Sequence, residues 1–167
     1  DLTARRFAAA AIDWLTAFEA KFSRFRPDSV VSKINESAGR EWVEVDAETE
    51  QLLDLAAGLH QVTDGILDPT MLPLLRVWDW RTAHLKLPEK SDIKAALALT
   101  GFRKVQRKPG RVFLPRPGMG LDFGGFGKEF AVDQLVRIAC EHGIQDALID
   151  LGRDLYGMGG NGQHPFW

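Results

Sequence analysis

The sequence lacks the features that mark several large classes of protein. Its single cysteine, Cys140, excludes an internal disulfide framework and fits no zinc-binding pattern. No apolar run is long enough to cross a bilayer, and the N-terminal DLTARRF is not a signal peptide. The formal net charge is -2, so charge gives no argument for nucleic-acid binding. What is present is 167 residues of ordinary globular composition, 45% hydrophobic and 26% charged, which is enough for one real core.

Helix-forming and strand-forming patterns alternate along the chain. Apolar residues at helical spacing predict one amphipathic helix from about Leu2 to Phe25 with an aromatic stripe. The stripe residues are Phe7, Ala11, Leu15, Phe18, Phe22 and Phe25. A second short helix is predicted from Ser29 to Asn35, and a third after an Asp46 N-cap. Another helix is predicted between a Ser91 cap and Gly101, and a last one after the glycine-rich turn LDFGGFG, where Cys140 is expected to be buried and inert.

Strands are predicted at four places, and one stretch is expected to be loop. The strands are Trp42 to Val45, a hairpin with Pro109-Gly110 in its turn, Met119 to Phe123, and the segment DALIDLG. LYGMGGNG is interpreted as a glycine-rich exit from that last strand, and TDGILDPTMLPLLRVWDW as a loop-rich middle. Without a repeat or linker, the pattern predicts one α/β (α+β) domain or part of one.

Three glycines and an acid stand directly before a helical pattern in LDFGGFGKEFAVD, residues Leu121 to Asp133. The G-x-G-x-x-G spacing of dinucleotide-binding turns is absent. A Walker loop does not fit either, because Gly127-Lys128 is followed by Glu129 and position 122 is Asp. Two interpretations stay open. The glycines permit close packing of helix on strand, or they expose N–H groups to an anion at a helix start, where a carbonyl could face a hard cation.

Two other stretches carry residues with both a structural and a functional interpretation. In TDGILDP, Asp64 and Asp68 could each cap the following turn or contact a ligand. In SRFRPDSVVSKIN, Phe25 ends the aromatic stripe where the chain turns into a loop, so its ring could pack in the core or stack on a planar ligand. The four histidines stand outside any catalytic pattern and are expected on the surface or in the core. They are His60, His84, His142 and His164.

In order along the chain, SRFRPDSVVSKIN, TDGILDPTMLPL, LDFGGFGKEFAVD and ALIDLGRDLYGMG resemble the ApbE family of FAD:protein FMN transferases. The resemblance covers about Phe22 to Trp167. It implies an ApbE-like mixed sheet with packed helices and a magnesium-dependent bacterial transferase. Such an enzyme splits FAD, joins FMN to a threonine or serine hydroxyl of a flavoprotein subunit, and releases AMP. It also implies a periplasmic or inner-membrane-anchored location facing the periplasm, with any membrane anchor outside this chain.

The resemblance also assigns site residues. Gly127 matches the position whose backbone carbonyl ligates Mg²⁺, a role that needs no particular side chain. No catalytic residue is assigned. The positions that match FAD contacts are Phe25, Ile66, Leu67, Asp68, Gly124 and Phe130.

The sequence departs from the family pattern in four ways, the first of which is that the strand usually found before the long helix is absent. Glu129 stands where the family usually has glycine, and Arg153 interrupts a segment that is usually L-G-G-[ND]. The later half of the pattern, which holds an H-x-x-D-P-x-T-G-like segment with the catalytic histidine and side-chain metal ligands, is missing. We therefore expect residues 1–167 to be the N-terminal portion of an FAD-binding domain and inactive alone. The alternative is a non-catalytic flavin-binding or interaction protein on the same scaffold.

Overall fold

The computed structural model describes residues 2–78, 87–160 and 164–165. The helices in these ranges are α1 Leu2–Phe22, α2 Val30–Glu36, α3 Ala47–Val62, α4 Leu72–Val77, α5 Lys90–Ala98 and α6 Gly127–Glu141. The strands are β1 Val43–Glu44, β2 Gln106–Lys108, β3 Arg111–Phe113, β4 Ala147–Asp150 and β5 Leu155–Met158. An antiparallel sheet has the order β1-β3-β2, and β4 pairs antiparallel with β5. This mixture of helices and sheet confirms the predicted fold class.

The chain divides into two compact units. The central unit is Phe22–Gly125 and contains α2 to α5 with the three-stranded sheet. The terminal unit is Asp1–Lys21 with Phe126–Trp167, so it combines α1 with α6, β4 and β5.

In the central unit, β2 and β3 form the hairpin that Pro109-Gly110 predicts. Lys108 lies opposite Arg111, and Gly110 takes the left-handed conformation at φ +70° that such a turn requires. The hairpin is attached to α3, because Glu50 accepts a hydrogen bond from the Gly110 N–H at 2.7 Å. Val112 of β3 is fully buried, so this small sheet has one face in the core.

The starts of α2, α3 and α5 each have a candidate capping residue in the sequence, and two of these three starts are capped by it. Ser29 caps α2 by accepting from the Ser32 N–H, and the predicted Asp46 cap of α3 is confirmed by its bond to the Thr49 N–H at 3.0 Å. The predicted Ser91 cap is wrong. Helix α5 begins at Lys90, after Glu89, which makes no side-chain capping bond.

The long first helix ends three residues before its predicted end. Helix α1 stops at Phe22 because Ser23 begins a turn, with its hydroxyl accepting from the Phe25 N–H at 3.4 Å and its carbonyl accepting from the Arg26 N–H. Arg26 also precedes a proline, which disfavours helical backbone. Phe25 therefore lies beyond the helix and is 56% exposed, so the core-packing interpretation of this ring is excluded.

Three further predictions are wrong for reasons of tertiary structure. Residues 119–123 form no strand in the described part of the chain, because their hydrogen-bond partners are a side chain and a loop. The glycine-rich exit after β4 contains strand β5, which pairs back on β4. Cys140 is exposed, because Leu135 and Ala139 occupy the buried face of α6 and the next residue projects away from it.

The terminal unit has its own hydrophobic core between α1, α6 and β4. Buried residues at its centre are Ala11, Val132, Leu135 and Ile149. Partly buried residues packed around them are Phe7, Trp14, Leu15, Val136, Ile138 and Leu151. The core-facing stripe predicted on α1 is thus confirmed as far as Phe22 and fails only at Phe25.

The turn between β4 and β5 places a large side chain in a conformation that favours glycine. Gly152 and Arg153 have φ of +69° and +81°, and the Arg153 N–H donates to the Asp150 carboxylate at 2.8 Å. The Leu151 N–H bonds the Asp154 carbonyl at 3.0 Å, which closes the turn. A residue with a Cβ at positive φ is strained, so Arg153 costs stability where the ApbE pattern has glycine.

We expect Arg153→Gly to stabilise the protein. Relief of the left-handed strain outweighs the added chain entropy of glycine, for a net gain of about 0.5–1 kcal/mol in the free energy of unfolding. Urea unfolding measures the gain. Arg137→Gly, in the exposed face of α6, is the matched control and should lose about 1 kcal/mol. Equal losses in both variants would contradict the strain argument.

Candidate functional site

Three of the four sequence motifs meet at residues 121 and 122 of the central unit. The Asn35 side chain bonds both backbone polar groups of Leu121. It donates to the Leu121 carbonyl at 3.0 Å and accepts from the Leu121 N–H at 2.6 Å. The Asp122 N–H donates to the Pro69 carbonyl at 2.8 Å. An amide side chain and a loop thus take the place of a neighbouring strand. These hydrogen bonds explain why residues 119–123 are buried like a strand although they do not form one.

The Asp122 carboxylate joins the first motif to the glycine turn. One oxygen contacts Arg24 Nε at 2.5 Å, and the other accepts from the Gly124 N–H at 2.8 Å. The Arg24 guanidinium in turn lies 4.2 Å from the centroid of the Phe25 ring. Because the Arg24 and Asp122 side chains are only 21% and 15% exposed, this ion pair is shielded from water. One carboxylate therefore fixes both the cation beside Phe25 and the first peptide of the turn.

A cavity of about 340 Å³ lies beside this ion pair, within the central unit. Its lining contains charges of both signs, with two guanidinium groups and one carboxylate. The lining residues are Arg24, Ser32, Asn35, Glu36, Leu72 and Arg76. This composition suits a polar ligand better than an apolar one.

The two neighbouring glycines of the turn have different surroundings. Both are exposed, between the buried side chains of Phe123 and Phe126. A Cβ on Gly124 would lie 3.0 Å from Asp122 Oδ1, whereas a Cβ on Gly125 would meet nothing within 4 Å. Gly124 is therefore needed for close packing, and Gly125 leaves open space. Helix α6 follows with Phe126 at its N-cap and no side-chain capping bond, which suits an anion at its first N–H groups.

In the TDGILDP segment, one apolar side chain is exposed to solvent and one carboxylate is largely buried. Ile66 is 89% exposed, whereas the Asp68 side chain is largely buried. Asp68 Oδ1 accepts from the Thr70 N–H at 2.7 Å and from its hydroxyl at 2.5 Å, and Oδ2 accepts from the Phe102 N–H at 3.0 Å. The capping interpretation of Asp68 is thus confirmed. Its contact with FAD, like that of Ile66 and Leu67, stays a prediction.

In the terminal unit, the first turn of α6 meets the β4–β5 turn. Lys128 forms an ion pair with Asp154, so the third and fourth motifs are joined here. The hydrogen bond to Asp154 raises the pKa of Lys128 above its ordinary value. Phe130 is buried and its ring stacks on Phe18, with centroids 5.8 Å apart. This ring has a packing role, and its contact with FAD stays a prediction.

The described residues do not complete a metal site. Within residues 2–78, 87–160 and 164–165, no group of three or more His, Cys, Asp or Glu side chains could hold a metal ion. Asp122 and Asp154 each already pair with a cation. The Gly127 carbonyl, at the first residue of α6, would supply only one of the roughly six oxygen ligands that Mg²⁺ needs. The donors described here therefore do not fit Mg²⁺ on their own.

His60 and His142 have structural contacts. His60 and His142 each place Nδ1 at hydrogen-bond distance from a backbone carbonyl, at 3.2 Å and 2.8 Å. His84 lies outside the described residues. Sequence reasoning did not single out Arg24 or Asn35, because a lone arginine in SRFRP and an asparagine at a helix end have no local signature for their distant partners.

Comparison with known proteins places these motifs in a family. The family model described as "ApbE family" matches residues 1–167. An FAD:protein FMN transferase of Treponema pallidum (strain Nichols) is 29% identical over 148 residues, which are 84% of this chain and 41% of that protein. One from Klebsiella pneumoniae (strain 342) is 30% identical over 154 residues, which are 91% of this chain and 49% of that protein.

Solved structures show the same fold. An ApbE protein from Thermotoga maritima MSB8 matches with a TM-score of 0.85 and 33% identity, covering 93% of this chain and 51% of its own. The apo flavinyl transferase ApbE of Pseudomonas stutzeri matches with a TM-score of 0.85 and 24% identity, covering 92% and 50%. The chain thus spans about half the length of the relatives it matches.

Asn35→Asp should destabilise the protein by about 1–3 kcal/mol. The new carboxylate oxygen would face the Leu121 carbonyl, so a donor is lost and two acceptors are left in contact. Urea unfolding measures the change. Gln51→Glu makes the same chemical change on an exposed face of α3 and should stay within about 0.5 kcal/mol of the parent. Coincident unfolding curves for the two variants would contradict the amide–peptide pairing.

Asp68→Asn should lower thermal stability as well, by about 1–3 kcal/mol. The amide can keep the bonds to Thr70, but its NH₂ group would then face the Phe102 N–H, donor against donor. Asp64→Asn is the control in the same loop. Asp64 is exposed at φ +51°, a conformation that asparagine tolerates well. A melting temperature unchanged in both variants would show that the Asp68 bonds contribute nothing net.

Proposed function

The chain belongs to the ApbE family, and we propose that the protein that contains it is an FAD:protein FMN transferase. The reaction breaks the phosphoanhydride bond of FAD. A threonine or serine hydroxyl of the acceptor flavoprotein loses its proton and bonds to the FMN phosphorus, and AMP leaves. Relatives of this chain are named for this activity, although the chain spans about half their length.

The observation that carries the proposal is the glycine turn of residues 124–128. It exposes backbone at the uncapped start of a 15-residue helix, where N–H groups and the helix dipole favour an anion. We place the FAD diphosphate there. Lys128 lies at the same helix start, where its charge is paired with Asp154. The exposed N–H groups and the helix dipole would offset the negative charge of the diphosphate and of the leaving AMP.

Residues of two motifs in the central unit are also proposed to contact FAD. Phe25 is more than half exposed beside the Arg24 guanidinium, an arrangement that suits stacking against a planar ring. The exposed Ile66 side chain, with Leu67 and Asp68, would line the nucleotide pocket. The Asp68 carboxylate already accepts hydrogen bonds from Thr70 and Phe102. It would contribute to binding by accepting one further hydrogen bond from FAD at a remaining lone pair.

Magnesium belongs to the proposal only as a requirement of the family. When bound, a divalent cation neutralises charge on the phosphates. Gly127 would contribute its carbonyl, and the remaining ligands would come from outside the described residues. No step of the reaction is assigned to the metal here.

The acceptor and the location are also proposals. An acceptor flavoprotein subunit and a location facing the periplasm follow from the resemblance to the family. None of the described helices has the length and apolar character needed to cross a bilayer. A flavin-binding protein without catalysis remains the second candidate, and release of AMP from FAD in the presence of an acceptor peptide separates the two.

Gly125→Val should abolish FAD binding while the protein stays folded. The position has open space around its Cβ and no left-handed φ, so the side chain fits, but it would project over the turn that is proposed to receive the diphosphate. Titration monitored by FAD fluorescence, together with AMP release, measures the loss. Gly58→Val, at an equally open position in α3, is the control and should bind FAD like the parent. Full affinity in a folded Gly125→Val protein would remove the diphosphate from this turn.

A further inference from the structure

The peptide of Leu67 is held from both sides by the last turn of α3. The Thr63 hydroxyl accepts from the Leu67 N–H at 3.0 Å and donates to the Leu59 carbonyl at 2.7 Å. On the other side, His60 Nδ1 lies 3.2 Å from the Leu67 carbonyl oxygen. Both backbone groups of Leu67 are thus bonded to side chains at the C-terminal end of α3, which fixes the peptide planes before and after this residue.

The chemistry of this contact defines the state of the His60 ring. A carbonyl oxygen can only accept, so Nδ1 must carry the proton. The side chain is 13% exposed, and its ring lies 5.8 Å from that of Phe102. The loop closes over the ring at Gly65, where φ is +81° and a Cβ would lie 3.2 Å from the imidazole. The ring is therefore enclosed between the helix, the loop and the Phe102 segment.

The consequence of this framework is a rigid loop with an exposed apolar tip. Ile66 is 89% exposed, yet both of its neighbours are bonded to the end of α3: the Gly65 N–H donates to the His60 carbonyl at 2.8 Å and the Leu67 N–H to the Thr63 hydroxyl at 3.0 Å. A ligand that contacts such a tip does not have to order the loop first, so less conformational entropy is lost on binding. In the part of the chain that the structure describes, His60 Nδ1 is the side-chain group bonded to the Leu67 carbonyl, and it lies 3.9 Å from Asp68 Oδ2.

We propose that His60 is a positioning residue for FAD binding, acting through the Leu67 carbonyl to hold residues 66–68 in place. This inference rests on the proposed function, because it is FAD that these residues would contact. It assigns a role to a histidine that is outside every motif that resembles the family. The proposed role of His60 requires one hydrogen-bond donor at the position of Nδ1.

The test compares His60→Ala, His60→Gln and His60→Asn. Asparagine places a donor NH₂ where Nδ1 lies, whereas glutamine places it farther out and alanine removes it. We expect FAD affinity to fall about 3- to 10-fold in the alanine and glutamine variants, the effect of one lost hydrogen bond, and to return to within about twofold of the parent with asparagine. In the transfer assay, KM for FAD should rise while kcat changes little.

His142→Ala is the matched control. His142 makes the same kind of bond, from Nδ1 to the Ile138 carbonyl at 2.8 Å, but at the end of α6 in the terminal unit. It should lose stability without losing FAD affinity. Unchanged affinity in folded His60→Ala, or equal losses in all three His60 variants, would overturn the positioning role.

A spectroscopic measurement separates this inference from the proposed function. Nitrogen chemical shifts of the His60 ring report directly whether Nδ1 is protonated. An unprotonated Nδ1 would overturn the inference even if FAD binds normally. Failure of the parent protein to bind FAD, with Nδ1 protonated, would instead overturn the proposed function and with it the role of this loop in FAD binding.

Discussion

The ion pair between Asp122 and Arg24 is the interaction on which the candidate site of the central unit depends. It joins residues that are far apart in the sequence, and the same carboxylate also holds the Gly124 N–H. Removing either partner would leave a largely buried charge without its counterion, which is far more costly than losing an exposed pair. The orientation of the cation beside Phe25 and the first peptide of the glycine turn are therefore not independent of each other. Asn35 completes this junction by holding the neighbouring peptide of Leu121.

The glycine turn shows how packing and binding can divide between adjacent residues. Gly124 is small because Asp122 Oδ1 occupies the space that a side chain would need. Gly125 has no such neighbour, so packing gives no reason for its lack of a side chain. A ligand that approaches the backbone would give one. The two interpretations that the sequence leaves open are therefore not exclusive: packing favours glycine at position 124, and anion binding at this turn stays a prediction.

What the sequence could predict follows from how local each signal is. The Asp46 cap, the Pro109-Gly110 hairpin and the aromatic stripe of α1 depend on residues within a few positions of one another, and the structure bears them out. Residues 119–123 have the pattern of a buried strand, but only the tertiary structure shows that Asn35 and Pro69 supply their hydrogen bonds. The site shows the same limit. Its motifs are visible in the sequence, whereas the role of Arg24 is defined by a contact with Asp122.

Asp68 illustrates why a residue in a motif that is proposed to contact FAD can have a structural role. Its carboxylate binds Thr70 and Phe102, and Thr70 in turn binds the Gly101 N–H, so the loop is attached to a distant segment of the central unit. This attachment fixes Asp68, at one end of segment 66–68. Ile66, at the other end of that segment, is exposed. A loop that must present a side chain to a ligand needs its backbone held, and the residues that hold it are necessarily part of the same short motif. The proposed contact of this loop with FAD therefore does not require every residue of the motif to touch the ligand.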